Sequence, residues 1–138
     1  MKTRWAPRRR RWRRSRRRDF TGIPTGSAQT SARRLAQRCG VKTTQVCVGA
    51  GSDELIELLA KAYLSPGDEI VVSEHAFLRY RMAGDLMGAT VVTVPMNVMT
   101  HDLEAMAAAV TARTKFVFIA NPNNPTGTYN TGSNWKSF

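Results

Sequence analysis

A three-layer α/β sandwich built on a mostly parallel sheet is predicted by three features of this sequence. From residue 31 onward, short apolar runs alternate with amphipathic helical stretches. The apolar runs are hydrophobic throughout rather than at every second residue, as strands covered on both faces are. The connections carry the Gly, Pro, Asn and Ser residues that punctuate such units. Strand and helix in alternation place the helices over both faces of the sheet.

Residues 1–30 stand apart as an Arg-rich leader, and residues 31–138 form the expected folded part. Lys2 and ten arginines lie within residues 1–18, so 11 of the 21 basic residues fall there without an acid. The other 10 basic residues meet all 10 acidic ones, and the net charge of +11 belongs to the leader. Like charges repel and little apolar area is available, so the leader is expected to be disordered. Its arginines with Trp5 and Trp12 also suit incidental contact with nucleic acid, through phosphates and stacked bases. "RRDF" at Arg17–Phe20 is a faint twin-arginine pattern, but no apolar segment follows it, so export is not expected.

The folded part reads in order. "SARRLAQRCG" is a helix closed by Gly40. "TQVCVG" is a β-branched run read as a first strand at Val46–Val48. "SDELIELLAKAYL" is a helix with Leu55, Leu58, Leu59 and Ala62 on one face. Ser52 is its expected cap, and Asp53 and Glu54 suit the positive end of its dipole. After "SPGDE" come a strand at Ile70–Val72, a helix in "AFLRYRMAGDLMG", and a strand at Val91–Val94. The helix "DLEAMAAAVT" and a strand at Phe116–Ile119 complete the series.

Two cysteines, Cys39 and Cys47, have neither CxxC spacing nor a histidine nearby. They form no disulfide framework or zinc motif and fit a reducing, cytoplasmic setting. No apolar run reaches the ~18 residues that a membrane span requires. His75 and His101 lie far apart, without metal-ligand spacing. They are read as loop structure and helix-entry structure, and Tyr63 and Tyr80 as packing residues.

Ligands of parallel sheets bind at the carboxyl ends of the strands. "GAGSDE", Gly49–Glu54, aims free backbone N–H groups, a helix dipole and the Ser52 hydroxyl at an anion such as phosphate. A carboxylate there would repel the anion, so Asp53 is expected to offer its N–H and turn its side chain away. An ordinary capped turn accounts for the same residues. The P-loop is excluded because no Lys–Ser/Thr pair follows. The dinucleotide fingerprint fits Gly49 and Gly51 but meets Glu54 at its third glycine, with Glu74 in place of the ribose-binding acid. "NPNNPTG" is a stiff, amide-rich loop after the last strand, fit to present an asparagine to a ligand oxygen.

These stretches together resemble the pyridoxal-phosphate-dependent aminotransferases of fold type I, and within them the histidinol-phosphate aminotransferase family. The segments that carry the resemblance are "VGAGSDELIELLAKAYLSPGDEIVVSEHAFLRY", "HDLEAM" and "TKFVFIANPNNPTGT", within about residues 31–130. The resemblance implies that residues 31–138 are part of that family's large domain and that the cofactor is pyridoxal 5'-phosphate. It implies that Gly51, Ser52 and Asp53 hold the cofactor phosphate. Phe77 would stack on the pyridine ring, and Asn124 would donate to its phenolic oxygen. It also implies an amino acid and a keto acid as substrates, in histidine biosynthesis, and a homodimer.

The departures are specific. Such a transaminase uses a lysine to bind the cofactor covalently, an acid on the pyridine nitrogen and an arginine for the substrate carboxylate. No residue here matches them, and Lys136 follows "NPTG" too closely and lacks a preceding serine. The family's early "NENP" is missing, and Ile23–Thr25 stand where it carries "YPD". The expectation is a truncated or frame-disturbed chain, inactive alone, with no catalytic residue assigned. Two other readings stay open: a basic-tailed nucleic-acid-binding protein, and a dinucleotide-binding oxidoreductase.

Overall fold

The computed structural model describes residues 25–132 and Trp135. The leader's first 24 residues and Lys136 lie outside the described residues. The chain divides into two compact units, ending and beginning at Val46 and Cys47.

In the first unit, helix α1 spans Thr25–Cys39, beginning earlier than the Ser31 expected from sequence. Gly40 takes a φ of 66°, the left-handed conformation that a glycine adopts at low cost, and Val41 N–H closes the helix on the Ala36 carbonyl. A single 3-10 turn follows at Thr43–Gln45.

The second unit contains helix α2 (Ser52–Tyr63), strand β1 (Glu69–Ser73), helix α3 (Leu78–Leu86) and strand β2 (Thr90–Val94). A two-residue pair, β3 (Met96–Asn97) and β4 (Thr100–His101), precedes helix α4 (Leu103–Ala108) and strand β5 (Thr114–Phe118). The main sheet has the order β2-β1-β5, parallel throughout. β1 is therefore central and buried along its whole length.

Alternation along β1 divides the core. Ile70 and Val72 pack with Ile56, Ala60 and Leu64 of the α2 segment and with Ala83 and Ala89 around α3. Val71 packs with Val94, Leu103 and Met106 on the α4 side. Helices thus cover both faces, the three-layer arrangement of a parallel sheet. Contact is closest at Gly84, where a Cβ would stand 2.5 Å from Ile70 Cδ1. At the strand starts, Glu69 is 3% exposed. It accepts from Thr111 Oγ1 at 2.6 Å and from Arg113 Nε at 2.9 Å. These contacts clamp the opening of β1 to the approach of β5.

Several expectations need correction. Val46–Val48 is not a strand: Val46 is extended, at φ −116° and ψ 120°, but pairs with no strand among the described residues. A strand is a property of a ladder, which β-branched residues alone do not create. β2 and β5 are half-buried rather than fully buried, because each flanks β1 on one side only. The face of α2 turned to the core carries Ile56 and Ala60, whereas Leu58 and Leu59 remain 42% and 44% exposed. The small Ala60 lets the helix lie close, and that proximity outweighs the larger leucines. Ser52 does not cap α2: Gly51 is the cap residue, at φ 86°, with no side-chain bond. The Glu54 carboxylate instead reaches back to accept from the Ala50 N–H. The β3–β4 hairpin was not foreseen. Its turn residues, Val98 and Met99, have φ of 46° and 61°.

Candidate functional site

Adjacent parallel strands deliver their following loops to one edge. Val72 of β1 pairs with Phe118 of β5, so residues 74–77 and 119–127 leave the sheet side by side. Asn123 joins them: its side-chain amide donates to the His75 carbonyl at 3.0 Å and to Thr126 Oγ1 at 2.9 Å. Asn123 is 3% exposed, and its backbone closes the loop by accepting from Gly127 N–H and donating to the Thr128 carbonyl, each at 2.8 Å. Asn121 and Asn130 brace the base, with Asn121 Nδ2 on the Asn130 carbonyl and Asn130 N–H on Asn121 Oδ1. Both Asn-Pro bonds are cis. None of these bonds uses the Asn124 side chain, which is exposed.

Phe77 is the residue that caps the start of α3, and it is half-buried. Its ring meets Tyr80 edge-on at 5.7 Å, and Tyr80 stacks on Phe118 at 4.5 Å and 9°. Burial pushes the Tyr80 phenol above its ordinary value. Tyr80 is therefore a packing residue, as expected. Tyr63 meets Phe116 edge-on at 6.1 Å although it is largely exposed.

The third loop is tied to the same helix. Asp53 Oδ2 lies 3.1 Å from Arg79 Nε, so the carboxylate is drawn sideways toward α3. The N–H groups of the first turn of α2 have no intrahelical acceptor. Gly51 stands before open space and adopts a backbone conformation, φ 86° and ψ −178°, that is essentially restricted to glycine. With Asp53 diverted and Glu54 held on Ala50, neither acid occupies the N–H groups of Ser52 and Asp53. That donor set suits an anion.

The structure thus links the three loops through Asn123–His75, Asp53–Arg79 and the Phe77–Tyr80–Phe118 cluster. Sequence reasoning selected Asn124 and missed Asn123 beside it. It also missed Arg79, Ser73 and the bonds of His101. His75 lies in the loop and contributes its carbonyl, and His101 immediately precedes the Asp102 cap of α4. Two cavities, of about 130 Å³ between α2 and α3 and about 290 Å³ beside the β3–β4 hairpin, are not lined by Phe77 or Asn124.

The sequence model of aminotransferase class I and II matches residues 3–138. The chain is 47% identical over 105 residues to a histidinol-phosphate aminotransferase of Moorella thermoacetica, covering 76% of this chain and 27% of that protein. Among solved structures, a putative histidinol-phosphate aminotransferase from Erwinia carotovora atroseptica superposes with a TM-score of 0.72 at 28% identity. The match covers 80% of this chain and 33% of that one. A histidinol-phosphate aminotransferase from Sinorhizobium meliloti, in complex with pyridoxal-5'-phosphate, gives 0.63 at 27% identity, covering 71% and 27%. The chain spans about a third or less of the length of these relatives. Nothing in the comparisons supports the dinucleotide or nucleic-acid reading. Among the described residues, no helix is long and apolar enough to cross a membrane.

Proposed function

The chain belongs to the aminotransferase class I and II family, and from that premise we propose that it provides the phosphate- and ring-holding part of a pyridoxal-phosphate-dependent aminotransferase. The observation that carries this reading is the tethering of three loops to one start of α3 and one sheet edge. The residues present fit the cofactor. Backbone N–H groups of Ser52 and Asp53, before the open space at Gly51, suit its phosphate. Phe77, at the start of α3, offers an aromatic ring, and the exposed Asn124 an amide that none of the loop's bonds uses.

Pyridoxal phosphate, when bound, supplies the electron sink through which an amino group moves between an amino acid and a keto acid. This chain's residues contribute binding and orientation. With the cofactor bound, the N–H groups of Ser52 and Asp53 would hold its phosphate, Phe77 would lie against its ring, and Asn124 would donate to its phenolic oxygen. Holding a group at three points removes the rotational freedom that a reaction otherwise loses in its transition state. No residue of this chain is assigned the covalent lysine, the pyridine acid or the substrate arginine.

The relatives' names carry histidinol phosphate, so the proposed exchange is between that amine and an amino acid–keto acid pair. A cytoplasmic homodimer completes the reading. The test is titration of the full chain with pyridoxal phosphate, followed by the cofactor's absorbance and by competition with inorganic phosphate. Binding that phosphate displaces, and that weakens in Asn124→Ala and Gly51→Ala, is expected. No spectral change, or binding indifferent to both substitutions, overturns the proposal.

A further inference from the structure

A second set of bonds joins the ends of β1 and β5 from beneath, and none of the roles above uses it. His101, at the end of β4, is 3% exposed. Its Nδ1 lies 2.6 Å from Ser73 Oγ, the last residue of β1, and its Nε2 lies 3.0 Å from the Ala120 carbonyl, just beyond β5. The His101 carbonyl in turn accepts from Asn130 Nδ2 at 2.9 Å, and Asn130 braces Asn121. One imidazole therefore spans the roots of the Phe77 loop and the Asn124 loop.

The chemistry of the partners assigns the ring's proton. A carbonyl oxygen only accepts, so Nε2 carries the hydrogen. The Ser73 hydroxyl has one proton and two acceptors in reach, Nδ1 at 2.6 Å and Met106 Sδ at 3.3 Å. Nitrogen is the nearer and stronger acceptor, so Nδ1 receives it.

We propose that His101, with Nε2–H on the Ala120 carbonyl and Nδ1 on the Ser73 hydroxyl, is a positioning residue that fixes the spacing between the loop carrying Phe77 and the loop carrying Asn124. Its meaning for the reaction rests on the function proposed above; the strut itself is tested without cofactor. Shape alone does not supply this link. Gln at 101 keeps an N–H at the distance of Nε2, whereas Asn keeps one only at the distance of Nδ1.

The experiment uses the full chain, labelled with nitrogen-15, and the variants His101→Gln and His101→Asn. The imidazole resonances are expected to show a protonated Nε2 and an unprotonated Nδ1. Amide exchange at Asn123 and Gly127 is expected to rise about tenfold in His101→Asn, the scale of one lost buried hydrogen bond. Protection at Ile70–Val72 should be kept, and His101→Gln should restore the loop. The opposite tautomer overturns the inference, as does loop exchange that is unchanged, or that changes equally with the core, in His101→Asn. Pyridoxal phosphate affinity, measured on the same samples, should fall in Asn and recover in Gln. A wild-type chain that binds no pyridoxal phosphate overturns the proposed function, while loop exchange still decides the strut.

Discussion

Asn123 donates its buried amide to the carbonyl of His75 across 48 positions of sequence, and this bond joins the two loops that follow β1 and β5. Its Oδ1 is buried without a protein partner. Asn123→Ala removes two donated bonds and leaves the His75 carbonyl unsatisfied. The expected loss is about 1–3 kcal/mol in urea unfolding, the cost of an unmade buried hydrogen bond. Asn123→Asp should be worse, because it loses the same donor and also buries a carboxylate charge against the His75 carbonyl oxygen. Equal stability of the wild type and both variants would show that the bond does not hold the loops.

Gly84→Ala should destabilise the protein although Ala is the better helix former. Helix propensity favours Ala by about 1 kcal/mol. The added Cβ, however, would stand 2.5 Å from Ile70 Cδ1 and 3.2 Å from Val91 Cγ2. Ile70 is fully buried, so it has little room to yield. Overpacking of this kind costs about 1–3 kcal/mol and should prevail. A denaturation midpoint that rises in the variant would contradict the packing of α3 on β1.

Much of this architecture was legible because the signals were local. β1 is apolar at Ile70–Val72 and central, so its continuous run led directly to a buried parallel strand. The helix read in "DLEAMAAAVT" is α4, where Asp102 accepts from Ala105 N–H. The glycines of "GAGSDE" and the asparagines and prolines of "NPNNPTG" marked the loops correctly. What failed depended on partners remote in sequence. Val46–Val48 has strand composition but no ladder among the described residues. The hairpin turn at Val98–Met99 carries none of the Asn or Gly that normally announces positive φ. Ser73 and His101 are 28 positions apart, so no local pattern could have paired them.

Val98 offers a direct check on that hairpin. It is β-branched, 87% exposed, and at φ 46°. Left-handed backbone costs a non-glycine residue about 1–2 kcal/mol, and Asn tolerates it better. Val98→Asn should therefore raise Tm, since the exposed valine gains little from burial. An unchanged or lower Tm would indicate that the turn is not strained at this position.

Glu69 predicts a pH dependence. The Thr111 hydroxyl and then the Arg113 guanidinium hold its carboxyl below the ordinary carboxylate range. A depressed carboxylate contributes stability that is fully present above its unfolded value of about 4.3. That contribution is lost as pH falls through the lower folded value. The stability gap between the wild type and Glu69→Gln should thus be open near neutrality and close in acid. Urea midpoints across that range measure it; a gap that stays constant would rule the clamp out as its source.

Arg79 separates binding from stability. Its ion pair with Asp53 is partly exposed, with side-chain exposures of 34% and 49%, so its loss should cost no more than about 1 kcal/mol of folding free energy. Its position matters more, because it draws the Asp53 carboxylate away from the free N–H groups at the start of α2. In Arg79→Gln that carboxylate is released to occupy those donors and to repel an incoming phosphate. Pyridoxal phosphate affinity should fall by about tenfold, the effect of a charge interaction near 1.4 kcal/mol at a helix terminus. The unfolding midpoint should scarcely move. Adding Asp53→Asn removes the negative charge and should return most of the affinity, without restoring the ion pair. If the double variant binds as weakly as Arg79→Gln alone, Arg79 touches the ligand itself and its action through Asp53 is excluded.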